Sequence, residues 1–354
     1  MPKHTKPQVK RGVPPQGSLN PHLQAPQRKR RPAGEYVQGI LRGDRVLLSQ
    51  AITLIESTRP EHQQLAQEII DQCLIHSGRS IRIGITGSPG VGKSTFIEAL
   101  GQHLLEKGRR LAVLAIDPSS KVSKGSILGD KTRMEKLASS EAAFIRPSPA
   151  GDSLGGVARK TRESIILCEA AGYDTIIIET VGVGQSETAV HSMADFFLLL
   201  LLPGAGDELQ GIKRGIVEMA DLIAVNKADG DRLPLAKRAR QEYRNALHLF
   251  PAKESGWTPT ADICSATTGL GIPEIWQQAE AYWEKTEKNG YFEHNRQAQA
   301  LYWLHEAISH QLRTAFSHNK GVREKLKAVE EAVLEGRQSP FQGAEELVAI
   351  FLKK

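Results

Sequence analysis

The sequence predicts an α/β fold, a mainly parallel sheet with helices on both faces and helical extensions at either end, and three observations predict it. Short apolar runs recur between helix-like segments: Ile81–Ile85, Leu111–Ile116, Ala142–Ile145, Thr175–Ile178, Phe196–Leu202, Leu222–Val225 and Ala261–Ile263. Most lack polar alternation, as strands covered on both faces do, and strand–helix alternation builds parallel sheets. The first run leads directly into a glycine-rich turn and a helix, IRIGITGSPGVGKST over residues 81–95. Polar residues cluster just after several runs, where an open parallel sheet binds its ligands.

Composition sets the outer bounds. The 354 residues are 40% hydrophobic and 24% charged, a globular balance with room for two domains or one domain with extensions. The longest apolar run, Phe196–Leu202, is far short of a membrane span. Cys73, Cys168 and Cys264 are isolated from one another, which points to a reducing compartment, so a cytoplasmic location away from membranes is expected. The net charge of +6 is uneven: residues 1–34 hold eight of the 46 Lys and Arg and none of the 40 Asp and Glu, leaving 38 against 40 in the body. This head is also rich in Pro and Gln, and residues 1–34 are expected to form a disordered basic tail. The functional alternatives are an arm for nucleic acid or an acidic partner, or an organelle presequence, which the Pro-rich composition opposes. No aromatic residue interleaves the basic ones, so base stacking has no support.

A helical extension is expected over 35–79. Val46, Leu47, Ile52, Leu54 and Ile55 give one apolar stripe, and Leu65, Ile69, Ile70 and Leu74 give a second. Pro60 suits a helix start and Gly78 an end. The nucleotide-binding domain is expected over 80–280 and a helical region over 281–354.

The stretch Gly87-x-x-x-x-Gly92-Lys93-Ser94 is the P-loop pattern. A phosphate chain needs many N–H donors at close range, and side chains would block the approach. Glycines let the backbone wrap the phosphates, and the following helix presents its positive end. The loop residues Gly87, Ser88, Pro89, Gly90, Val91, Gly92, Lys93, Ser94 and Thr95 are therefore the candidate phosphate cradle. Lys93 reaches the β- and γ-phosphates as the charge that acts in catalysis, and the Ser94 hydroxyl sits on Mg²⁺.

Asp117 ends LAVLAID, Asp130 lies in GSILGDKTRM and Glu179 ends TIIIE. Three carboxylates at strand ends or in a loop suit a hard cation already held by Ser94 and phosphate oxygens. Glycines follow Glu179 in ETVGVGQSE, letting the backbone swing toward a γ-phosphate, and Gln185 or Glu187 could orient the attacking water.

Asn226-Lys227-Ala228-Asp229 closes the run DLIAVN. Guanine presents N1–H and N2–H₂ on one edge, a pair that one carboxylate accepts as a fork and adenine lacks. Asp229 selects guanine, while Asn226 and Lys227 hold the loop and cover the ring. Ser265-Ala266-Thr267 follows TADIC, where backbone N–H groups would meet the guanine O6. GTP and GDP are thus the expected nucleotides.

Taken together, these segments resemble the MeaB/ArgK family of P-loop GTPases, which includes the methylmalonic aciduria type A proteins. The resemblance rests on GSPGVGKST (87–95), AIDPSS (115–120), GSILGDKTRM (125–134), ETVGVGQSE (179–187), LLPGAGDELQGIKRGI (201–216), NKAD (226–229) and SAT (265–267), and covers roughly residues 40–320. It implies a GTPase chaperone that gates adenosylcobalamin loading, protection and repair of an acyl-CoA mutase, methylmalonyl-CoA mutase first of all. It also implies that Ser94, Asp117, Asp130 and Glu179 surround Mg²⁺, and that Pro203–Lys213 is a third switch loop whose Lys213 links partner binding to hydrolysis. The long basic head and the C-terminal end depart from the family pattern. Related metal-delivery GTPases carry Cys- or His-rich motifs, which this chain lacks.

In the last region Leu301, Leu304, Ile308, Leu312 and Phe316 form one helical stripe. The family resemblance implies a homodimer through such a segment; packing on the chain's own domain is the alternative. Two other functions remain open: an ATP-dependent kinase linked to basic amino-acid transport, which the guanine motif opposes, and a nucleic-acid-binding GTPase using the basic head.

Overall fold

Seven strands make one parallel sheet in the order β3-β2-β4-β1-β5-β6-β7. The computed structural model describes residues 31–116, 134–147, 154–180, 186–204 and 214–353. The strands are β1 (Ile81–Gly87), β2 (Leu111–Ile116), β3 (Ala143–Arg146), β4 (Thr175–Thr180), β5 (Phe196–Leu201), β6 (Leu222–Val225) and β7 (Thr260–Ile263). Every residue of β2, β4, β5 and β6 is buried, which explains runs with no polar alternation. The chain starts in the middle, winds outward through β2 and β3, returns at β4 and then leaves on the other side through β5. The winding direction therefore reverses at β1, and the carboxyl ends of β1, β4 and β5 frame the crevice such a reversal creates.

One sheet face is covered by α4 (Lys93–Glu106) and α10 (Ile272–Lys288), with Phe96, Ile97, Leu100, Trp276 and Tyr282 packed on β1, β2 and β5. Short α5 (Glu135–Ser139) closes the edge by β3, where Leu137 is fully buried. The other face carries α6 (Leu154–Ala170) and α7 (Ser186–His191). The amino-terminal helices α1 (Ala33–Leu41), α2 (Arg45–Glu56) and α3 (Pro60–Leu74) share the core of α6 through Ile40, Leu48, Ile52 and Ile69. Beyond β5, α8 (Arg214–Met219) and α9 (Leu233–Leu247) complete the layer over β6 and β7.

Local signals account for the extension. The Asp44 carboxylate accepts from the N–H groups of Val46 and Leu47 and so starts α2, and Pro60 opens α3. The chain forms three helices here, against two expected. The first, α1, begins at Ala33 inside the stretch assigned to the tail. It has no side-chain cap, and its Tyr36, Val37 and Ile40 form an apolar stripe too short to stand out beside the Pro-rich head. The expected boundary at 280 falls inside α10, whose Tyr282 is part of the nucleotide-domain core.

After α10 come α11 (Tyr291–His318), α12 (Lys320–Leu334) and α13 (Pro340–Leu352). The first half of α11 is clamped to the sheet's amino edge. Arg296 donates to both carboxylate oxygens of Asp195 at 2.5 and 2.6 Å and to the Ser80 carbonyl at 2.9 Å. Gln299 donates to Ala194 O at 2.7 Å and Trp303 to Ser192 O at 2.9 Å. The stripe Leu301, Leu304, Ile308 and Leu312 is 45–60% exposed, while Phe316 turns inward against Phe351. Among the described residues no helix is long and apolar enough to cross a membrane.

Candidate nucleotide site

The four sequence segments singled out above that lie within the described residues all end at the carboxyl edge of the sheet. The P-loop follows β1, Glu179 is the penultimate residue of β4, Asn226–Asp229 follows β6 and Ser265–Thr267 follows β7. Two glycines are required by the geometry. Gly92 caps α4 with φ 92°, a left-handed conformation, and a Cβ there would stand 3.0 Å from Asn226 Nδ2. A Cβ on Gly87 would meet the Leu200 carbonyl oxygen at 2.4 Å, so the loop can pass over β5 only without a side chain.

Lys93 opens α4 and is 9% exposed. Its Nζ donates to Gly87 O at 2.8 Å and Ser88 O at 3.3 Å, which keeps the ammonium inside the loop. Burial lowers its pKa from the usual lysine value, and the nearby carboxylates of Glu179 and Glu187 oppose that shift. The Ser94 hydroxyl donates to Glu179 Oε1 at 3.3 Å, so two side-chain oxygens from β4 and α4 converge at the mouth of the loop. Hard oxygens of this kind fit Mg²⁺ bound together with phosphate oxygens and water. No cluster of three or more His, Cys, Asp or Glu suited to a metal exists among the described residues. Asp117, Asp130, Gln185 and Lys213 lie outside the described residues.

The guanine segment is tied to the P-loop by two side chains. Asn226, 1% exposed, donates to Val91 O at 2.8 Å, and Lys227 donates to Gly90 O at 2.8 Å. Lys227 adopts φ 61°, a strained conformation for a residue with a Cβ, and this turn aims its side chain back over the loop. The Ala266 N–H donates to Asn226 Oδ1 at 3.2 Å, and the Cys264 thiol lies 3.6 Å from the same oxygen. Asp229 Oδ2 accepts from Ser265 Oγ at 2.5 Å and from Thr267 Oγ1 at 3.2 Å. Ser265 first, and then Thr267, hold the Asp229 carboxyl below the usual aspartate range, so the acceptor fork stays ionised.

Two of these features were not legible in the sequence. Ser265 and Thr267 act on Asp229 through their hydroxyls, where only backbone donors were expected. Thr86 and Thr180, at the ends of β1 and β4, share a hydroxyl–hydroxyl hydrogen bond of 2.9 Å at 1% and 0% exposure. It fixes the strand end that carries Glu179 against the strand that carries the P-loop.

The family model described as "Methylmalonyl Co-A mutase-associated GTPase MeaB" matches residues 48–321. The chain belongs to the MeaB family. A putative GTPase from Caulobacter vibrioides is 50% identical over 312 residues, 88% of this chain and 95% of the relative. The mitochondrial methylmalonic aciduria type A homolog of Mus musculus is 46% identical over 323 residues, 88% of this chain and 78% of that one. Among solved structures, a LAO/AO transport system kinase superposes with TM-score 0.71 at 38% identity, covering 90% of this chain and 96% of that one. As a MeaB-family GTPase the chain is an enzyme that hydrolyses GTP.

Proposed function

We propose that this GTPase is a chaperone of an adenosylcobalamin-dependent acyl-CoA mutase, methylmalonyl-CoA mutase first of all, gating the loading, protection and repair of the mutase cofactor. The observation that carries this reading is the match to the mutase-associated family over residues 48–321, joined by 46% identity to a methylmalonic aciduria type A homolog. Lys93 binds the β- and γ-phosphates. Ser94 and Glu179, with Asp117 and Asp130, hold Mg²⁺, which when bound supplies positive charge to the transferring phosphoryl group. Gln185 or Glu187 orients the attacking water. Lys213 couples the bound mutase to hydrolysis, because only a partner with different affinities for two loop states can shift their balance.

The exposed stripe Leu301, Leu304, Ile308 and Leu312 suits a second copy of the chain, giving a homodimer through the C-terminal helices. Light scattering on a Leu304→Glu/Leu312→Glu variant should then report a monomer where the wild type reports a dimer. An unchanged mass would remove the stripe from the interface.

A second reading is a kinase linked to basic amino-acid transport, favoured by the name of the LAO/AO transport system kinase that superposes on the chain. The Asp229 fork opposes it, since an ATP-dependent kinase needs adenine. The deciding experiment is GTP hydrolysis with and without the cognate mutase, for the wild type and Lys213→Ala. The mutase should accelerate the wild type, and Lys213→Ala should keep basal turnover but lose the acceleration. No acceleration of the wild type by any acyl-CoA mutase of the source cell would overturn the chaperone reading.

A further inference from the structure

The second half of α11 stands off from α3 and α6, and a cleft of about 630 Å³ opens between the three helices. Next to it lies a smaller cavity of about 180 Å³. Gln67, Arg159, Glu163 and His310 line both. Neither cavity includes a residue of the P-loop or of the guanine segment. The larger volume is of the size that holds a small organic ligand.

The charge of these walls is unbalanced. Arg159, Lys160, Arg162 and Arg313 face two carboxylates, Glu163 and Glu306. Glu163 is already taken by Arg159 Nε at 2.7 Å, and Lys160 donates to Glu56 O at 2.9 Å. Arg162 is the unusual member. It is 8% exposed and packed over the rings of Tyr302 and Trp303 at 5.3 and 5.5 Å. Its Nη2 donates to Ser192 Oγ at 3.2 Å and the Glu306 carboxylate favours its charge, while its Nε and Nδ1 of His310 are buried without a hydrogen-bond partner among the described residues. Buried polar atoms are rarely left open. The first turn of the 17-residue α6 also opens here. Gly155 lines the cleft, and no described residue lies within 4 Å of where its Cβ would be, so main chain of the first turn of this helix borders the cleft. Ile166, Ala307 and the Trp303 indole add an apolar wall.

We propose that the cleft between α3, α6 and α11 is a second ligand site, which takes an organic phosphate. The excess of guanidinium groups and the helix start suit phosphate oxygens, and the indole wall suits an organic body. The apolar stripe of α11 adjoins this cleft. At 3.6 residues per turn, Leu304 lies about 60° from Ala307 and about 120° from His310, and the cleft-lining Gln311 falls beside the stripe. The guanidinium groups of Arg159 and Arg162 belong to α6, on the opposite wall from the stripe.

The test uses the full chain saturated with GDP and Mg²⁺, so that the nucleotide pocket is filled, and ADP as the probe, because the Asp229 fork discriminates against adenine. Calorimetry should show one ADP bound per chain with GDP retained. Pyrophosphate, which has no organic body, should bind at least tenfold more weakly than ADP. Arg162→Met should weaken ADP at least tenfold. Arg313→Glu, at an exposed position where folding is not at stake, should do the same and leave basal GTP hydrolysis unchanged. The proposal is overturned if the GDP-loaded protein binds no ADP, if ADP binds only by displacing GDP, or if both variants bind ADP as the wild type does. It is equally overturned if hydrogen exchange at Trp303 and His310 slows with rising protein concentration in the absence of ligand, since a second copy would then fill the cleft. Pyrophosphate binding as tightly as ADP would overturn the organic half of the proposal.

Discussion

Replacing Asp229 by Asn tests the base-recognition chemistry with a change of one atom pair. In the wild type, Oδ2 is fixed by Ser265 and Thr267, and on the proposed reading the carboxylate would accept both donors on the guanine edge. The amide keeps one acceptor and turns the other arm into a donor facing a donor. A hydrogen bond to a charged group contributes about 1.5–3 kcal/mol, so losing one arm of the fork costs GTP at least about 1.5–3 kcal/mol. At about 1.4 kcal/mol per decade this is a loss of roughly 10–10² or more in affinity. Xanthine carries a carbonyl where guanine carries the amino group, and the new amide can donate to it. Competition of GTP, XTP and ATP against a fluorescent guanine nucleotide reads all three affinities. The wild type should prefer GTP to ATP by at least ~100-fold, and Asp229→Asn should prefer XTP. If Asp229→Asn holds GTP within a few-fold of the wild type, or if the wild type binds ATP and GTP alike, Asp229 does not read the base and the kinase reading regains ground.

Lys93→Ala should lower GTP turnover by roughly 10²–10³, measured as phosphate release, because the charge facing the transferring phosphoryl group is gone. Thr180→Val should destabilise the chain by about 1–3 kcal/mol in urea unfolding, since it leaves the buried Thr86 hydroxyl unpaired, and the double change with Thr86→Val should cost less than the sum of the single changes. Glu169 gives a pH prediction. It accepts from Arg82 at 2.8 and 3.0 Å, from Ser80 at 2.6 Å and from Gly78 N at 2.7 Å. Burial pushes its carboxyl up, but the Arg82 and Arg296 guanidinium groups outweigh burial and hold it below the usual glutamate range. A depressed carboxyl stabilises the fold fully above its unfolded pKa of about 4.3, and that contribution fades as pH falls through the folded value. Unfolding free energy at pH 7 should therefore fall by about 3–5 kcal/mol in Glu169→Gln, and the variant should lose less of its remaining stability than the wild type between pH 6 and pH 3.

The strands were legible because burial on both faces leaves a purely apolar signature, as in FFLLLL of β5, and each of the seven runs overlaps a strand of the sheet. The P-loop and guanine segments were legible because their chemistry is compressed into a few consecutive residues. What escaped has no local signature. Thr86 and Thr180 are 94 residues apart, and only the insertion of β4 beside β1 makes them neighbours. The ionic cluster of Arg82, Glu169, Asp195 and Arg296 draws one member from each of four places along the chain, so no spacing reveals it. The α3–α6–α11 cleft is likewise a product of tertiary packing, and α1 lacked the cap that announced α2.

The clamp on α11 makes that helix a lever with an uneven fulcrum. Its fixed points, Arg296, Gln299 and Trp303, all grip the short segment 192–195 or Ser80, which immediately precede β5 and β1. Fifteen further residues run from 304 to 318, about 22 Å of rod at 1.5 Å per residue, with the α12–α13 hairpin as the load at its end. β1 and β5 are stiff, and their far ends carry the P-loop and the start of Pro203–Lys213. Leverage therefore runs in both directions. A sub-ångström rocking of the two strands would sweep the hairpin through a larger arc, and a grip on the hairpin would return a torque to the floor of the phosphate loop.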